Sequence, residues 1–179
     1  MRWRVLVAAA LVACGALTGL LAHALSRVGN NQGYAPEQPI AFSHKLHAGD
    51  ARVPCLYCHF GATTSRHAGI PPVNVCMNCH GLLKKQTRDI ERLKELVERA
   101  QPIAWVKVHN LPDFVYFNHS QHVISGVECQ SCHGRVETMV RVTQQAPLTM
   151  GWCIQCHRSH QTVDAHTPAA NLDCGKCHY

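Results

Sequence analysis

The chain has 179 residues, a length typical of one domain, and its aromatic content of 6% is low for an ordinary protein core. The formal net charge is +6, but three arginines, Arg2, Arg4 and Arg27, flank the first segment. Residues 28–179 therefore carry 14 basic and 11 acidic side chains, a net charge of +3, which excludes a strongly basic surface.

The N-terminal segment, residues 1–27, is predicted to be a membrane anchor. Val5–Leu25 is an apolar run of 21 residues interrupted by His23, and its length suits one membrane span. The arginines before the run favour an N-terminus in the cytoplasm, so the rest of the chain would be exported. Two alternatives stay open: a cleaved signal peptide, because residues 22–24 have the Ala-x-Ala form, and lipidation at Cys14.

Ten of the eleven cysteines lie in five copies of Cys-x-x-Cys-His, the attachment motif of c-type haem. Two thiols add to the vinyl groups of one haem and the histidine ligates its iron; a helical turn brings all three to one side. Zinc ribbons pair their motifs two by two, and a disulfide framework needs no histidine after every second cysteine. We therefore predict five covalently bound haem c groups. The thioether cysteines are Cys55, Cys58, Cys76, Cys79, Cys129, Cys132, Cys153, Cys156, Cys174 and Cys177, and the proximal iron ligands are His59, His80, His133, His157 and His178.

The segment between the anchor and the first motif has two parts. Residues 28–40 are polar and rich in glycine and proline, and are predicted to form a linker. A Phe-x-His-x-x-His pattern then precedes the first motif at residues 42–47 and recurs before the third at residues 117–122. This repeat divides the haem domain, residues 41–179, into two-haem units at about 41–81 and 116–158, followed by a fifth haem at 159–179.

A helix is predicted over residues 82–100, between the two units. Ile90, Leu93, Val97 and Ala100 fall on one face at helical spacing, and Pro102 ends the segment. The predicted fold is therefore mainly α with much irregular structure, consisting of a duplicated two-haem unit, a fifth haem and one N-terminal transmembrane helix.

The distal iron ligands are expected among the histidines outside the motifs. Two histidines three residues apart on a turn can serve two neighbouring haems. His44 and His119 would ligate the haem of their own half, and His47 and His122 an adjacent one. For the fifth distal position the open candidates are His109, Met150, Met139, His67 and His166, whereas His160 is expected to point away or to meet a propionate.

Five haems would change both the interior and the charge of the protein. They would supply the apolar volume that the side chains lack, so the exported part should not fold without them. Their ten propionates, paired with lysines and arginines, would make the surface mildly acidic, so the basic balance gives no argument for nucleic acid as a partner.

Four stretches resemble one known family: SHKLHAGDARVPCLYCHFGA, GIPPVNVCMNCHG, VHNLPDFVYFNHSQHV and PLTMGWCIQCHR. They are similar to the pentahaem cytochrome c subunit of alternative complex III, a bacterial membrane quinol:electron-acceptor oxidoreductase, and more broadly to the cytochrome c3/c7 group. The resemblance implies iron–sulfur and quinol-oxidising membrane subunits as partners, and a monohaem cytochrome c or a terminal oxidase as electron acceptor.

The expected function is electron relay by a subunit of the bacterial inner membrane whose haem domain faces the periplasm. The chain would not be an enzyme by itself, because none of its groups is arranged for proton transfer to an organic substrate. The alternatives are a free periplasmic electron shuttle, a membrane-anchored quinol dehydrogenase and a multihaem oxyanion reductase. A reductase needs an iron with an open position, and the distal candidates outnumber the irons.

Overall fold

The structure is a computed structural model that describes residues 2–26, 28–84, 87–161 and 169–179. Helix α1, Arg2–Ser26, covers the predicted anchor. Its apolar side chains are exposed along its length, and the hydroxyl of Thr18 donates to the backbone carbonyl of Cys14 at 2.8 Å. In the described part of the chain it is the one helix long and apolar enough to cross a membrane.

The remaining helices are short. They are α2 (Cys55–Cys58), α3 (Val73–His80), α4 (Arg88–Glu98), α5 (His119–Ile124), α6 (Cys129–His133) and α7 (Met150–Ser159). A π-helical turn at Lys45–Asp50 and 3₁₀ turns at Phe60–Thr63, Val136–Thr138 and Cys174–Lys176 lie between and after them. The described residues contain no β-strand, so the prediction of a mainly α protein with much irregular structure is confirmed for them.

Helix α4 is shorter than the helix predicted over 82–100. It begins after Thr87, whose hydroxyl accepts a hydrogen bond from the backbone N–H of Ile90 at 3.3 Å. It ends before Ala100, which adopts a positive φ of 50°. Residues 82–83 instead extend the turn that ends α3, because both of their N–H groups donate to the carbonyl of Cys79. Of the predicted apolar face, Leu93 is buried and Ala100 is exposed beyond the end of the helix, while the buried Leu96 was not part of the prediction.

The aliphatic core is small. Leu93 and Leu96 of α4 form a buried cluster with Ile40, and Met77 and Trp105 pack against it. Few other apolar side chains are buried in the described part of the chain. Cysteines and histidines, not aliphatic side chains, converge between the other short helices, which is the arrangement expected of a chain that wraps its cofactors.

Residues 28–40, predicted as a linker, are docked on the haem domain over part of their length. The N–H of Gly33 donates to the carbonyl of Gln144 at 2.8 Å, and the N–H of Gln144 donates to the carbonyl of Tyr34 at 3.1 Å. Gln38 exchanges two hydrogen bonds with the backbone of Val106, both at 2.9 Å. Residues 28–40 contain no helix or strand, and their long-range hydrogen bonds were not predictable from the glycines and prolines.

The two predicted two-haem units contact each other through α5. Helix α5 packs on the turn Phe60–Thr63. The N–H groups of His119 and Ser120 donate to the carbonyls of Arg66 and Ser65 at 3.2 and 3.1 Å. The segment that opens the second unit is therefore anchored on the first.

Candidate haem-binding sites

Each Cys-x-x-Cys-His motif lies on or at the end of a helical turn. The first four belong to α2, α3, α6 and α7, and the fifth to the turn Cys174–Lys176. Prolines precede two of these helices, and the hydroxyl of Thr149 and the carboxylate of Asp173 accept N–H groups at the start of two others. A helical turn places the two thiols and the histidine on adjacent positions of one face, as attachment of one porphyrin requires. We number the candidate haem sites 1 to 5 by their motifs.

Four of the motif histidines lie opposite the four histidines of the two Phe-x-His-x-x-His segments. The pairs, with the distances between ring centroids, are His44–His59 at 6.5 Å, His47–His80 at 6.0 Å, His119–His133 at 6.4 Å and His122–His157 at 6.0 Å. The first histidine of each segment lies opposite the histidine of motif 1 or motif 3. The second histidine lies opposite the histidine of motif 2 or motif 4.

These separations fit two imidazoles that bind one metal from opposite sides. A bond from a metal to an imidazole nitrogen is about 2.0 Å, and that nitrogen is about 1.2 Å from its ring centre, which together give about 6.4 Å between two ring centres. Direct stacking of two rings would bring them closer, to about 4.5 Å. The residues present therefore suit bis-histidine haem at sites 1 to 4.

Hydrogen bonds at Nδ1 leave Nε2 available to a metal in five of these eight histidines and in His178 of the fifth motif. A carbonyl oxygen only accepts, so an imidazole nitrogen that contacts it carries the proton, and the other nitrogen of the neutral ring keeps its lone pair. The six contacts from Nδ1 to a backbone carbonyl are His47 to Ser43 at 2.9 Å, His59 to Gly69 at 2.7 Å, His119 to Arg66 at 2.8 Å, His122 to Asn118 at 2.8 Å, His157 to Asn171 at 2.6 Å and His178 to Phe114 at 2.9 Å.

His44 and His133 differ from these six. Nδ1 of His44 is buried and has no hydrogen-bond partner among the described residues. Nδ1 of His133 lies 3.1 Å from Nε2 of His109, so a second imidazole takes the place of a carbonyl.

In each Phe-x-His-x-x-His segment, the phenylalanine packs against both histidines and orients them. The ring of Phe42 stacks on His47 at 4.3 Å and meets the edge of His44 at 4.9 Å. Phe117 packs on His122 at 4.4 Å and on His119 at 4.8 Å. The repeat of phenylalanine two residues before the first histidine was visible in the sequence, but its role in holding two imidazoles was not.

Burial keeps one imidazole neutral at site 1 and one at site 3. Burial, followed by the neighbouring His59 and His47, lowers the pKa of His44 to about 4. It also lowers the pKa of His133 to about 4, with His109 and His119 as the next contributors. A neutral imidazole is the form that binds a metal, so the environment favours ligation.

The described candidates for the fifth distal position have different surroundings. His109 contacts His133 and not a second motif histidine. Met150 is exposed at the start of α7, Met139 is half-buried and its carbonyl accepts the N–H of Lys45, and His67 is exposed. His166 lies outside the described residues. In the described part of the chain no imidazole is paired with His178, whose ring packs near Phe114 at 5.8 Å.

His160 points back onto its own helix. Its Nδ1 contacts the carbonyl of Cys156 at 2.8 Å, which closes the end of α7. This position agrees with the expectation that it points away from the neighbouring iron, and it leaves His160 without an imidazole partner among the described residues.

Comparisons with known proteins support the cytochrome interpretation. Residues 115–179 match a family model described as cytochrome c7 and related cytochrome c. Over 98 residues, 54% of this chain, the sequence is 35% identical to the menaquinone reductase, multihaem cytochrome c subunit, of Nitratidesulfovibrio vulgaris strain Hildenborough, and the match covers 46% of that protein. The chain thus spans about half the length of the curated relative it matches. These similarities support a c7-like multihaem cytochrome with covalently bound haem c; they do not support the narrower assignment to alternative complex III.

Proposed function

We propose that this chain is the pentahaem electron-transfer subunit of a membrane complex that exchanges electrons with a quinone. The observation that carries the proposal is the set of four imidazole pairs at 6.0–6.5 Å, each formed by a motif histidine and a histidine from a Phe-x-His-x-x-His segment. Covalent haem c supplies one-electron chemistry at such sites, and the protein sets its potential through axial ligands, burial and hydrogen bonds.

The ligand pairs proposed for sites 1 to 4 follow from this geometry. His44 and His59 hold site 1, His47 and His80 site 2, His119 and His133 site 3, and His122 and His157 site 4. His178 holds site 5 on its proximal side. With both axial positions occupied, sites 1 to 4 leave no open iron position for an oxyanion substrate, so the reductase alternative would depend on site 5, where no imidazole of the described residues is paired with His178.

The contacts between motifs support a linear order of the sites: 2, 1, 3, 4, 5. His44 and His47 lie on one turn and join sites 1 and 2, and Asn78 of motif 2 donates to the hydroxyl of Tyr57 of motif 1 at 2.9 Å. His119 and His122 join sites 3 and 4 in the same way. Sites 1 and 3 meet where α5 packs on the turn after motif 1.

Site 5 lies beside site 4 and the start of α5. Nδ1 of His157 contacts the carbonyl of Asn171, just before motif 5. The N–H of Tyr116, just before α5, donates to the carbonyl of Cys177 at 2.9 Å. The ring of Tyr116 also stacks on Tyr179 at 4.3 Å.

The electrostatic influences between cysteine thiols of different motifs agree with this order of the sites. Burial, and then Cys58, raise the pKa of Cys76; burial, and then Cys55, raise that of Cys129. Burial, and then Cys156, raise the pKa of Cys132, and burial, and then Cys177, raise that of Cys153. Each influence joins motifs that are neighbours in the proposed order. Sites 2 and 5 are then the two ends, where a donor and an acceptor would dock.

The direction of electron flow has two candidates. The resemblance to alternative complex III implies quinol oxidation, with iron–sulfur and membrane subunits as donors and a monohaem cytochrome c or a terminal oxidase as acceptor. The relative from N. vulgaris is a menaquinone reductase subunit, and this favours the reverse direction, towards a quinone. In either case α1 would hold the chain at the inner membrane as a single-pass anchor with the haem domain in the periplasm.

The test uses the intact complex, isolated by a C-terminal tag on this chain from membranes of a producing strain. Addition of a menaquinol analogue should reduce the c-type haem, or addition of a menaquinone analogue should reoxidise prereduced haem, and the faster reaction assigns the direction. Mass spectrometry of the chain should give five haem additions. Loss of the tagged chain into the soluble fraction with neither reaction would favour the free shuttle and overturn the proposal.

A further inference from the structure

His109 lies next to the proximal histidine of site 3. Its Nε2 is 3.1 Å from Nδ1 of His133, and the two rings are 4.5 Å apart and nearly perpendicular, at 80°. An edge-on approach of this kind aims a ring nitrogen of one imidazole at a ring nitrogen of the other. It is the geometry of a hydrogen bond and not that of two ligands on one metal.

The direction of this hydrogen bond follows from metal ligation. If Nε2 of His133 binds iron, its neutral ring carries the proton on Nδ1 and donates it. Nε2 of His109 must then accept, so His109 carries its own proton on Nδ1.

Site 1 offers a matched comparison. It occupies the equivalent position in the first unit, and its axial rings are 4° from parallel, against 10° at site 3. The proximal histidine of site 1, His59, donates from Nδ1 to the backbone carbonyl of Gly69 at 2.7 Å. The two sites therefore differ in the atom that accepts the proximal N–H: a carbonyl oxygen at site 1 and an imidazole nitrogen at site 3.

His109 is held in place by a buried amide. The N–H of the next residue, Asn110, donates to the side-chain oxygen of Gln144 at 2.9 Å. Gln144 is fully buried and its amide nitrogen donates to the carbonyl of Ala146 at 3.0 Å. These hydrogen bonds fix the backbone next to His109 beside His133. The contact between His109 and His133 therefore does not depend on an exposed side chain.

We propose that His109 is a positioning residue that lowers the reduction potential of site 3 by accepting the Nδ1 proton of His133. An imidazole nitrogen is a stronger base than an amide oxygen, so it draws the proton further from the ligand. The ligand then donates more electron density through Nε2 and stabilises the ferric state. The inference rests on the proposed bis-histidine ligation of site 3, and it departs from the expectation that His109 is itself an iron ligand.

Two substitutions distinguish His109 as a hydrogen-bond acceptor from His109 as an iron ligand. His109→Gln places a carbonyl oxygen near the position of Nε2 and should give site 3 the kind of acceptor that site 1 has. His109→Leu removes the acceptor. Gln101→Leu is the control, because Gln101 is exposed and belongs neither to a motif nor to the candidate iron ligands.

The measurement is a spectroelectrochemical titration of the five-haem protein, with mass spectrometry to count haem and EPR to record spin states. One of the five fitted potentials should be lowest in the wild type, higher in His109→Gln and highest in His109→Leu. For Leu the ferric preference should fall about tenfold, which is about 59 mV for a one-electron couple. The Gln101→Leu variant should leave all five potentials unchanged.

The outcomes distinguish this inference from the proposed function. Five bound haems with no potential moved in the Leu variant would overturn the role of His109 while leaving electron transfer intact. A new high-spin signal in both variants would also overturn it, because that result identifies His109 as an axial ligand. If the Leu variant fails to mature, the Gln variant decides alone: an upward shift of one potential supports the inference, and no shift overturns it.

Discussion

The imidazoles of His44 and His59 lie 4° from parallel, whereas those of His47 and His80 are tilted by 58°. The second unit repeats the contrast, with 10° at site 3 and 50° at site 4. Each Phe-x-His-x-x-His segment thus presents one ligand parallel to its partner and one inclined to it. Because the segments are repeated in the sequence, the difference belongs to the fold of each unit and not to one site.

The first prediction concerns the EPR spectrum of the oxidised protein. The relative orientation of two axial imidazole planes sets the splitting of the iron d orbitals, so parallel planes give rhombic low-spin signals and inclined planes give more anisotropic ones. We expect two irons of each kind from sites 1 to 4, counted by spin quantitation, with site 5 in addition. A spectrum with one class of low-spin signal, or one dominated by high-spin iron, would contradict the ligand pairs.

The second prediction concerns the two phenylalanines. Phe117→Ala removes the ring that contacts both His119 and His122, and Phe42→Ala does the same for His44 and His47. Loss of a half-buried phenylalanine should reduce the free energy of unfolding by about 1–3 kcal/mol, less than in a closed core.

Each phenylalanine variant serves as the control for the other. Phe117→Ala should broaden the EPR signals of one parallel and one inclined site and leave the other two sharp. Phe42→Ala should affect the complementary two. If either variant altered all four signals, or neither altered any, the phenylalanines would not be what orients the ligands.

The sequence predicted the parts of these sites that depend on local spacing. Helical turns at the motifs and a mainly α fold follow from residues three and four apart. The structure also places each of the expected distal histidines His44, His47, His119 and His122 at 6.0–6.5 Å from a motif histidine. That these rings ligate iron stays a prediction.

Long-range backbone contacts could not be predicted in this way. The carbonyl that accepts a hydrogen bond from Nδ1 of His119 belongs to Arg66, 53 residues earlier. The carbonyl that accepts one from Nδ1 of His178 belongs to Phe114, 64 residues earlier. A backbone carbonyl has no signature in a sequence. The hydrogen bonds of residues 32–34 to Gln144 and Gln145 could not be predicted for the same reason.

The third prediction concerns the protein without haem. The aliphatic cluster of Ile40, Leu93 and Leu96 is too small to hold the exported part together. Residues 28–179, produced where cytochrome maturation is absent, should show little helical circular dichroism and no cooperative thermal transition, while the matured protein shows both. A cooperative transition in the haem-free chain would contradict the view that the cofactors form most of the interior.

The fourth prediction is the pH dependence of stability. His44 and His133 have folded pKa values of about 4, below the value of 6.5 for an unperturbed imidazole. Between about pH 6.5 and about pH 4 the unfolded state therefore binds more protons than the folded state, so the free energy of unfolding falls as the pH falls through that window. Iron bound at Nε2 would exclude the proton further and act in the same direction. Denaturant titrations across the window would measure the slope; a stability that is flat or rises towards acid would contradict it.

The fifth prediction concerns Gln144. Its side chain is fully buried and joins the N–H of Asn110 to the carbonyl of Ala146, while its backbone exchanges hydrogen bonds with Gly33 and Tyr34. Gln144→Leu leaves two buried polar groups without partners and should lower the free energy of unfolding by about 2–4 kcal/mol. Gln145→Leu, the same change at the next, exposed position, should have a far smaller effect.

A readout at site 3 separates the local role of Gln144 from general stability. Because Asn110 follows His109, loss of the Gln144 contact should loosen the acceptor of the His133 proton and raise the potential of the same couple that His109→Leu raises. When Gln144→Leu and His109→Leu are combined, their shifts of the potential should not add, since both act through one hydrogen bond. Fully additive shifts would show that Gln144 acts on another site and that it does not position His109.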